Sequence, residues 1–157
     1  MEKAPSSTQL ADVKTWLIDT GPLVAFLDAV DPEHGRVVAC LEDFSGQLAT
    51  TSAVITEAMH FVSASKDGAR LLAEFVTLSR TEVYDLCRPP ELFDAALLMQ
   101  KYADTPMDFA DATLVLLAEA LNVRDLLTLD RRGFSTYRTR GRRGVRLVLD
   151  TVADRKN

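Results

Sequence analysis

Two apolar runs in the sequence each stop on an aspartate: Trp16-Leu17-Ile18-Asp19 and Leu126-Leu127-Thr128-Leu129-Asp130. Asp108 and Asp111, in Met107-Asp108-Phe109-Ala110-Asp111, are three residues apart, so both fall near the first turn of a helix. Glu57 follows Thr51-Ser52-Ala53-Val54-Ile55-Thr56. At roughly 100° per residue it lies about 40° around a helix from Phe61, on the border of an apolar face. Clustered carboxylates repel one another and need either protons or a cation. Oxygen-only ligands suit a hard ion, Mg²⁺ or Mn²⁺. That combination favours phosphodiester chemistry, in which the ion lowers the pKa of a bound water and neutralises charge on the phosphate.

Each acid has a local explanation as well. Asp19 suits a turn, Asp108 an N-cap, and Asp111 the positive end of a helix dipole. Asp130 could cap a turn or pair with Arg131 or Arg132, and Glu57 could be an ordinary border residue. Repeated acids at the ends of apolar strands, with a further acid beside a core face, favour the cluster over five separate coincidences.

The elements that would have to position these acids alternate in type. Strands are expected at Thr15 to Ile18, Gln47 to Thr50, Glu82 to Leu86, Leu126 to Leu129 and Val145 to Leu149. A helix starting at Pro22 should run to about Asp28. Another follows Asp31-Pro32, with Val37, Leu41 and Phe44 on one face. Ser52 can cap a helix that turns Val54, Ile55, Ala58, Phe61 and Val62 inward. Asp67-Gly68 opens one bearing Leu71, Leu72, Phe75 and Leu78. Pro89-Pro90 opens one bearing Leu92, Ala96, Met99 and Tyr102. Asp108 begins one with Ala112, Val115, Leu116 and Ala120. This order predicts an α/β fold, a parallel sheet with helices on both faces. Sites in such sheets form beyond the carboxyl ends of the strands.

The chain has 157 residues, 47% of them apolar, which suits one domain burying about 70% of its unfolded surface. No apolar run approaches the roughly 18 residues of a membrane span. The polar start, Met1 to Lys14, lacks a signal-peptide core, so a cytoplasmic location is expected. Cys40 and Cys87 are far apart, and His34 and His60 stand alone, which argues against zinc. The net charge is −5, but Arg131 to Arg146 contains seven arginines and no acid. The other 11 basic residues face 23 acidic ones. One end is therefore basic and the remainder acidic.

Asp19-Thr20-Gly21 is also the catalytic tripeptide of aspartic proteases. That fold is almost wholly β, whereas this chain is mostly helical and carries the tripeptide once, followed by Pro22. A phosphate-accepting signalling domain would need adjacent acids after its first strand and a lysine after its last. Here Asp19 stands alone and no lysine lies between Lys101 and Lys156.

Four segments in order carry a family resemblance: Trp16 to Leu23, Thr51 to His60, Pro106 to Glu119, and Leu126 to Phe134. Together they resemble the PIN domain, the metal-dependent nuclease fold of VapC-type toxins, over about Trp16 to Leu149. The resemblance implies a PIN-like α/β/α sandwich with a central, mostly parallel sheet flanked by helices. It implies an Mg²⁺- or Mn²⁺-dependent endoribonuclease that leaves a 5′-phosphate and a 3′-hydroxyl, acting as the toxin of a type II toxin–antitoxin pair. Such proteins are usually homodimers held inactive by a small antitoxin. Alternatives are a PIN nuclease of RNA processing and a non-catalytic PIN-like binding module.

The family's acidic quartet falls on Asp19, Glu57, Asp111 and Asp130, with Asp108 as an additional acid and Thr20 as the hydroxyl residue after the first. Asp19 and Asp111 are then the principal metal ligands, and Glu57 and Asp130 complete the pocket. Arg131, Arg132, Arg138, Arg140, Arg142 and Arg143 are candidate RNA contacts. The expected domain covers residues 15–150, preceded by an N-terminal extension over 1–14, a flexible tail or an extra contact, and followed by a C-terminal tail over 151–157.

Overall fold

The computed structural model describes residues 13–153. Residues 1–12 of the expected extension and 154–157 of the expected tail lie outside the described residues. In chain order the elements are β1 (Thr15–Ile18), α1 (Thr20–Leu27), α2 (His34–Glu42), β2 (Gln47–Thr51), α3 (Ser52–Val62), α4 (Gly68–Leu78) and β3 (Glu82–Tyr84). There follow α5 (Pro89–Lys101), α6 (Phe109–Leu121), β4 (Asp125–Leu127), α7 (Arg131–Thr136), β5 (Arg146–Leu147) and α8 (Val148–Ala153).

The five strands form one sheet in the order β3-β2-β1-β4-β5, and every pairing is parallel. Parallel neighbours cannot be joined by tight turns, so helices fill each connection and cover both faces. Helices α1 to α4 pack among themselves, α5 packs on α6, and α6 crosses β2. From β1 the chain moves outward through β2 to β3. It then crosses back, by way of α5 and α6, to β4 on the other side of β1. The order therefore reverses between β1 and β4, where a crevice opens at the carboxyl ends of their strands.

Burial on both faces explains why β1 and β4 read as unbroken apolar runs. Leu17, Ile18, Leu126 and Leu127 are all buried to within 1% of complete. Helix α6 runs beside them with seven consecutive buried residues from Ala112 to Ala118 and Ala110 before them, too many for a one-sided helix. It is the central helix of the domain.

Several local expectations change: in α4, Leu72 is buried as expected, whereas Leu71 and Leu78 are exposed. The helix after β2 is capped by Thr51, whose Oγ1 accepts from Val54 N at 3.2 Å, and not by Ser52. Within α3, Val54, Ala58 and Val62 are inward, whereas Phe61 is exposed. In α5 the buried positions are Ala95 and Leu98, and Leu92 faces solvent. The last strand is only two residues long, because Val148 and Leu149 are the buried start of α8.

Candidate active site

Asp19 follows β1 directly, and its backbone N–H donates to Leu127 O at 3.0 Å, which ties it to the end of β4. Its carboxylate is fixed on both oxygens. Thr20 N–H donates to Oδ1 at 2.7 Å, capping α1, and Thr128 Oγ1 donates to Oδ2 at 2.7 Å. Burial is the main force on this group and pushes its pKa up to about 6, with the charges of Asp108 and Asp130 adding; the two hydrogen bonds oppose the rise.

Asp130 lies across the crevice. Its N–H donates to Thr128 Oγ1 at 3.0 Å, and its Oδ1 accepts from Gly133 N at 3.0 Å, capping α7. Thr128 thus links the two strand-end aspartates through one hydroxyl, donating to one and accepting from the other. Gly133 is required here: a Cβ on it would lie 2.3 Å from Asp130 Oδ2 and 2.9 Å from the Tyr137 hydroxyl.

Asp108 and Asp111 sit at the start of α6 in a reciprocal capping box. Asp111 N donates to Asp108 Oδ1 at 2.8 Å, and Asp108 N to Asp111 Oδ2 at 3.2 Å. The N-cap reading of Asp108 therefore holds, yet both acids also belong to the cluster. Burial, followed by the charges of Asp108 and Asp19, pushes Asp111 up to about 8, and Asp130 contributes less. Burial also raises Glu57 on α3, with Asp108 and Asp19 adding. The Thr20 hydroxyl offsets part of that rise without a hydrogen bond of good geometry, since Thr20 Oγ1 is buried with no partner.

The five acids therefore act on one another electrostatically at a single rim. Asp19, Asp108 and Asp130 cap α1, α6 and α7, so three positive helix ends point at it. Among the described residues, no three acidic, histidine or cysteine side chains stand close enough to enclose an ion as they are placed. The donor set still fits a hard cation: only carboxylates, Asp19 and Asp111 among them raised above the usual carboxylate range, and an orphaned hydroxyl, Thr20 Oγ1, beside them.

Hydroxyls that the sequence reading passed over hold this rim together. Besides Thr128, Thr50 Oγ1 donates to Ile18 O at 2.7 Å and pins β2 to the end of β1. Thr51 Oγ1 meets Thr113 Oγ1 at 2.8 Å and joins the cap of α3 to α6. Their signal in sequence is slight, because a threonine in a strand is also an ordinary β-branched residue.

The arginines are mostly engaged within the chain. Arg131 pairs with Asp150 at 3.2 Å. Arg140 pairs with Glu119 at 2.9 Å and with Asp94 at 3.1 Å. Arg146 pairs with Asp125. Arg138 Nη1 donates to the carbonyls of Ser135 and Tyr137, and Arg143 to Asn122 Oδ1. Among the described residues, Arg132 and Arg142 are exposed with no acidic partner.

No family model matches the chain. Ribonuclease VapC26 of Mycobacterium tuberculosis (strain ATCC 25618 / H37Rv) is 34% identical over 129 residues, spanning 80% of this chain and 93% of that protein. Among solved structures, M. tuberculosis VapC20, a sarcin-ricin loop cleaving toxin, superposes with a TM-score of 0.69 at 16% identity over 76% of this chain and 93% of that one. VapBC2 from Rickettsia felis, bound to a DNA fragment from their promoter, gives 0.53 at 20% identity over 77% and 91%. At those identities the two structures establish the fold, and the sequence relative, matched over nearly all of its length, establishes the lineage. The chain belongs to the VapC ribonuclease family of PIN-domain proteins.

Proposed function

We propose that this chain is a divalent-metal-dependent endoribonuclease that hydrolyses RNA phosphodiester bonds as the toxin of a toxin–antitoxin pair. The observation that supports the metal requirement is the gathering of partly buried carboxyls at one rim, as caps and first-turn residues of α1, α6 and α7. Burial, reinforced by the charge of the neighbouring acids, raises Asp19 to about 6 and Asp111 to about 8, and a cation at the cluster would relieve both. Asp19 and Asp111 would hold Mg²⁺ or Mn²⁺, with Glu57 and Asp130 completing the pocket. The bound ion would supply Lewis-acid stabilisation of phosphate charge and a water of lowered pKa.

The chain's own residues then have distinct tasks. Thr128 keeps Asp19 oriented by occupying one of its oxygens. Asp130 or Glu57 accepts the proton of the attacking water. The helix ends of α1, α6 and α7 oppose the negative charge that gathers on the scissile phosphate. Arg132, exposed and two residues after Asp130 in sequence, is the arginine proposed to meet an RNA phosphate. The pairing of Arg131 and Arg140 with acids makes them weaker candidates for that contact.

A small antitoxin is the proposed protein partner, supported by the likeness to the VapBC2 structure. A homodimer is proposed on the family resemblance, and the exposed Leu92, Phe93 and Leu97 of α5 offer apolar surface for such a contact. No helix among the described residues is long and apolar enough to cross a membrane.

The deciding experiment is cleavage of single-stranded RNA in Mn²⁺, with mapped ends. Asp19→Asn and Asp111→Asn should each abolish cutting while circular dichroism shows an intact fold; undiminished cutting by either sinks the assignment. A second reading is a non-catalytic PIN-like binding module. Calorimetric titration with Mn²⁺ separates the two, because only a working carboxylate pocket takes up the ion.

A further inference from the structure

Helix α7 and the start of α6 carry three of the five acids of the cluster. Asp130 caps α7, and Asp108 with Asp111 opens α6. Like charges on these two elements push them apart, and only backbone geometry and side-chain ties resist. Tyr137 stands at that seam. It follows α7 directly as its C-cap, and its ring is 1% exposed. The ring packs edge-on against Phe134 at 5.2 Å and against Tyr102, at the end of α5, at 5.1 Å.

The Tyr137 hydroxyl donates to Pro106 O at 2.6 Å, two residues before Asp108. A second bond crosses the same seam, from Arg138 N to the Tyr102 hydroxyl at 2.9 Å. The loop between α5 and α6 is thus clamped to the far end of α7 at two points. Gly133 adds a third constraint, since its Cα is flanked by both the Asp130 carboxylate and the Tyr137 hydroxyl. A buried phenol needs a hydrogen-bond partner, and here the partner is the carbonyl whose position sets where α6 begins.

We propose that Tyr137 is a positioning residue of the active site: through Pro106, its hydroxyl holds Asp108 and Asp111 in register with Asp130 against the repulsion among those carboxylates. The inference rests on the acid cluster being the working site. It adds that the cluster's geometry is maintained by a phenol whose hydroxyl is committed to the Pro106 carbonyl. Groups that orient ligands in this indirect way typically matter by ten- to a hundredfold in ion affinity or rate.

The test is Tyr137→Phe in the full chain, which keeps the ring packing and removes only the O–H. Two readouts are taken together. The first is amide hydrogen exchange without added metal. Asp111 N–H and Ala112 N–H, both bonded to Asp108, should exchange about tenfold faster, while Leu126 and Leu127 in β4 keep wild-type protection. The second is steady-state RNA cleavage, where kcat should fall about tenfold at unchanged KM. Equal acceleration at α6 and β4 would show a merely structural residue and overturn the proposal, as would wild-type exchange at Asp111 and Ala112. If the wild-type protein cleaves no RNA, the nuclease reading fails, but the exchange comparison still decides whether Tyr137 holds α6. Tyr102→Phe, which removes the other tie across the seam, reads the same amides should Tyr137→Phe not fold.

Discussion

Thr128 Oγ1 donates to Asp19 Oδ2 across 2.7 Å of buried space, joining two residues that are 109 apart in sequence. The same oxygen accepts from Asp130 N, so its lone hydroxyl proton is committed to Asp19. Parallel pairing makes this contact possible: Ile18 and Leu127 are in register, so the residues that follow each strand emerge side by side. The bond lowers the pKa of Asp19 against the stronger effect of burial. Thr128→Val keeps the shape and removes the donor. It should destabilise the fold by about 1–3 kcal/mol, the usual result of leaving a buried acceptor unmet. Asp19 should then need a higher pH to ionise, so the acid limb of the pH–rate profile should move upward. Thr128→Ser should restore both; denaturant melts and pH profiles of the three proteins provide the check.

The raised carboxyls also fix the sign of the pH dependence of stability. Asp19 and Asp111 start from 3.8 in the unfolded chain and reach about 6 and about 8 when folded. Between pH 4 and pH 8 the folded state therefore binds more protons than the unfolded one, and stability falls as pH rises through that window. Asp19 alone accounts for roughly 3 kcal/mol at 1.36 kcal/mol per pH unit. Urea melts in a chelating buffer at pH 5, 6.5 and 8 should give steadily lower midpoints, and Asp19→Asn should flatten the trend. Saturating Mn²⁺ should reverse it if the ion takes the place of the protons. Rising midpoints in the metal-free protein would contradict the charge arrangement described for the rim.

Much of this arrangement was legible in the sequence because parallel strands are apolar on both faces. A polar residue at the end of such a run marks the point where the chain leaves the core. Asp19 and Asp130 could be placed on one rim for that reason, and the alternation of elements supplied the sheet that makes it one rim. The inward face of α5 was not legible, because the helix is apolar on two sides. Leu92, Ala96 and Met99 form as good a stripe as Ala95 and Leu98, and only packing on α6 chooses between them. Thr128 was hidden by its type, since threonine suits a strand without any further role. Tyr137 was hidden by distance, because its partner Pro106 is 31 residues away and no periodicity links them. The arginines were misleading in their density: ion pairs with Asp94, Glu119, Asp125 and Asp150 engage charges that sequence alone leaves free.

Gly133 offers a sharp steric test. A methyl group there would come within 2.3 Å of Asp130 Oδ2, far inside van der Waals contact, so Gly133→Ala must displace the Asp130 carboxylate or distort α7. Activity should drop at least as far as in Asp130→Ala, and the double variant should lose little more, because both changes remove the same oriented group. Gly35→Ala is the matched control. Nothing lies within 4 Å of that position in α2, and alanine there should stabilise by roughly 0.5 kcal/mol with no change in cleavage.

The arginine stretch can be divided by salt. An arginine that contacts an RNA phosphate contributes close to one released counterion, so its removal lowers the slope of log K against log salt by about 1. Arg132, two residues after Asp130 in sequence, is exposed without an acidic partner among the described residues, whereas Arg140 is committed to Glu119 and Asp94. Arg132→Ala, measured in the cleavage-inactive Asp19→Asn background by fluorescence anisotropy, should weaken RNA binding and flatten the salt slope by about 1. Arg140→Ala should leave the slope alone and instead reduce stability by at most about 1 kcal/mol, as expected for surface ion pairs. The reverse pattern, a flattened slope from Arg140 and none from Arg132, would move the RNA path off the acidic rim and onto the face formed by α5 and α6.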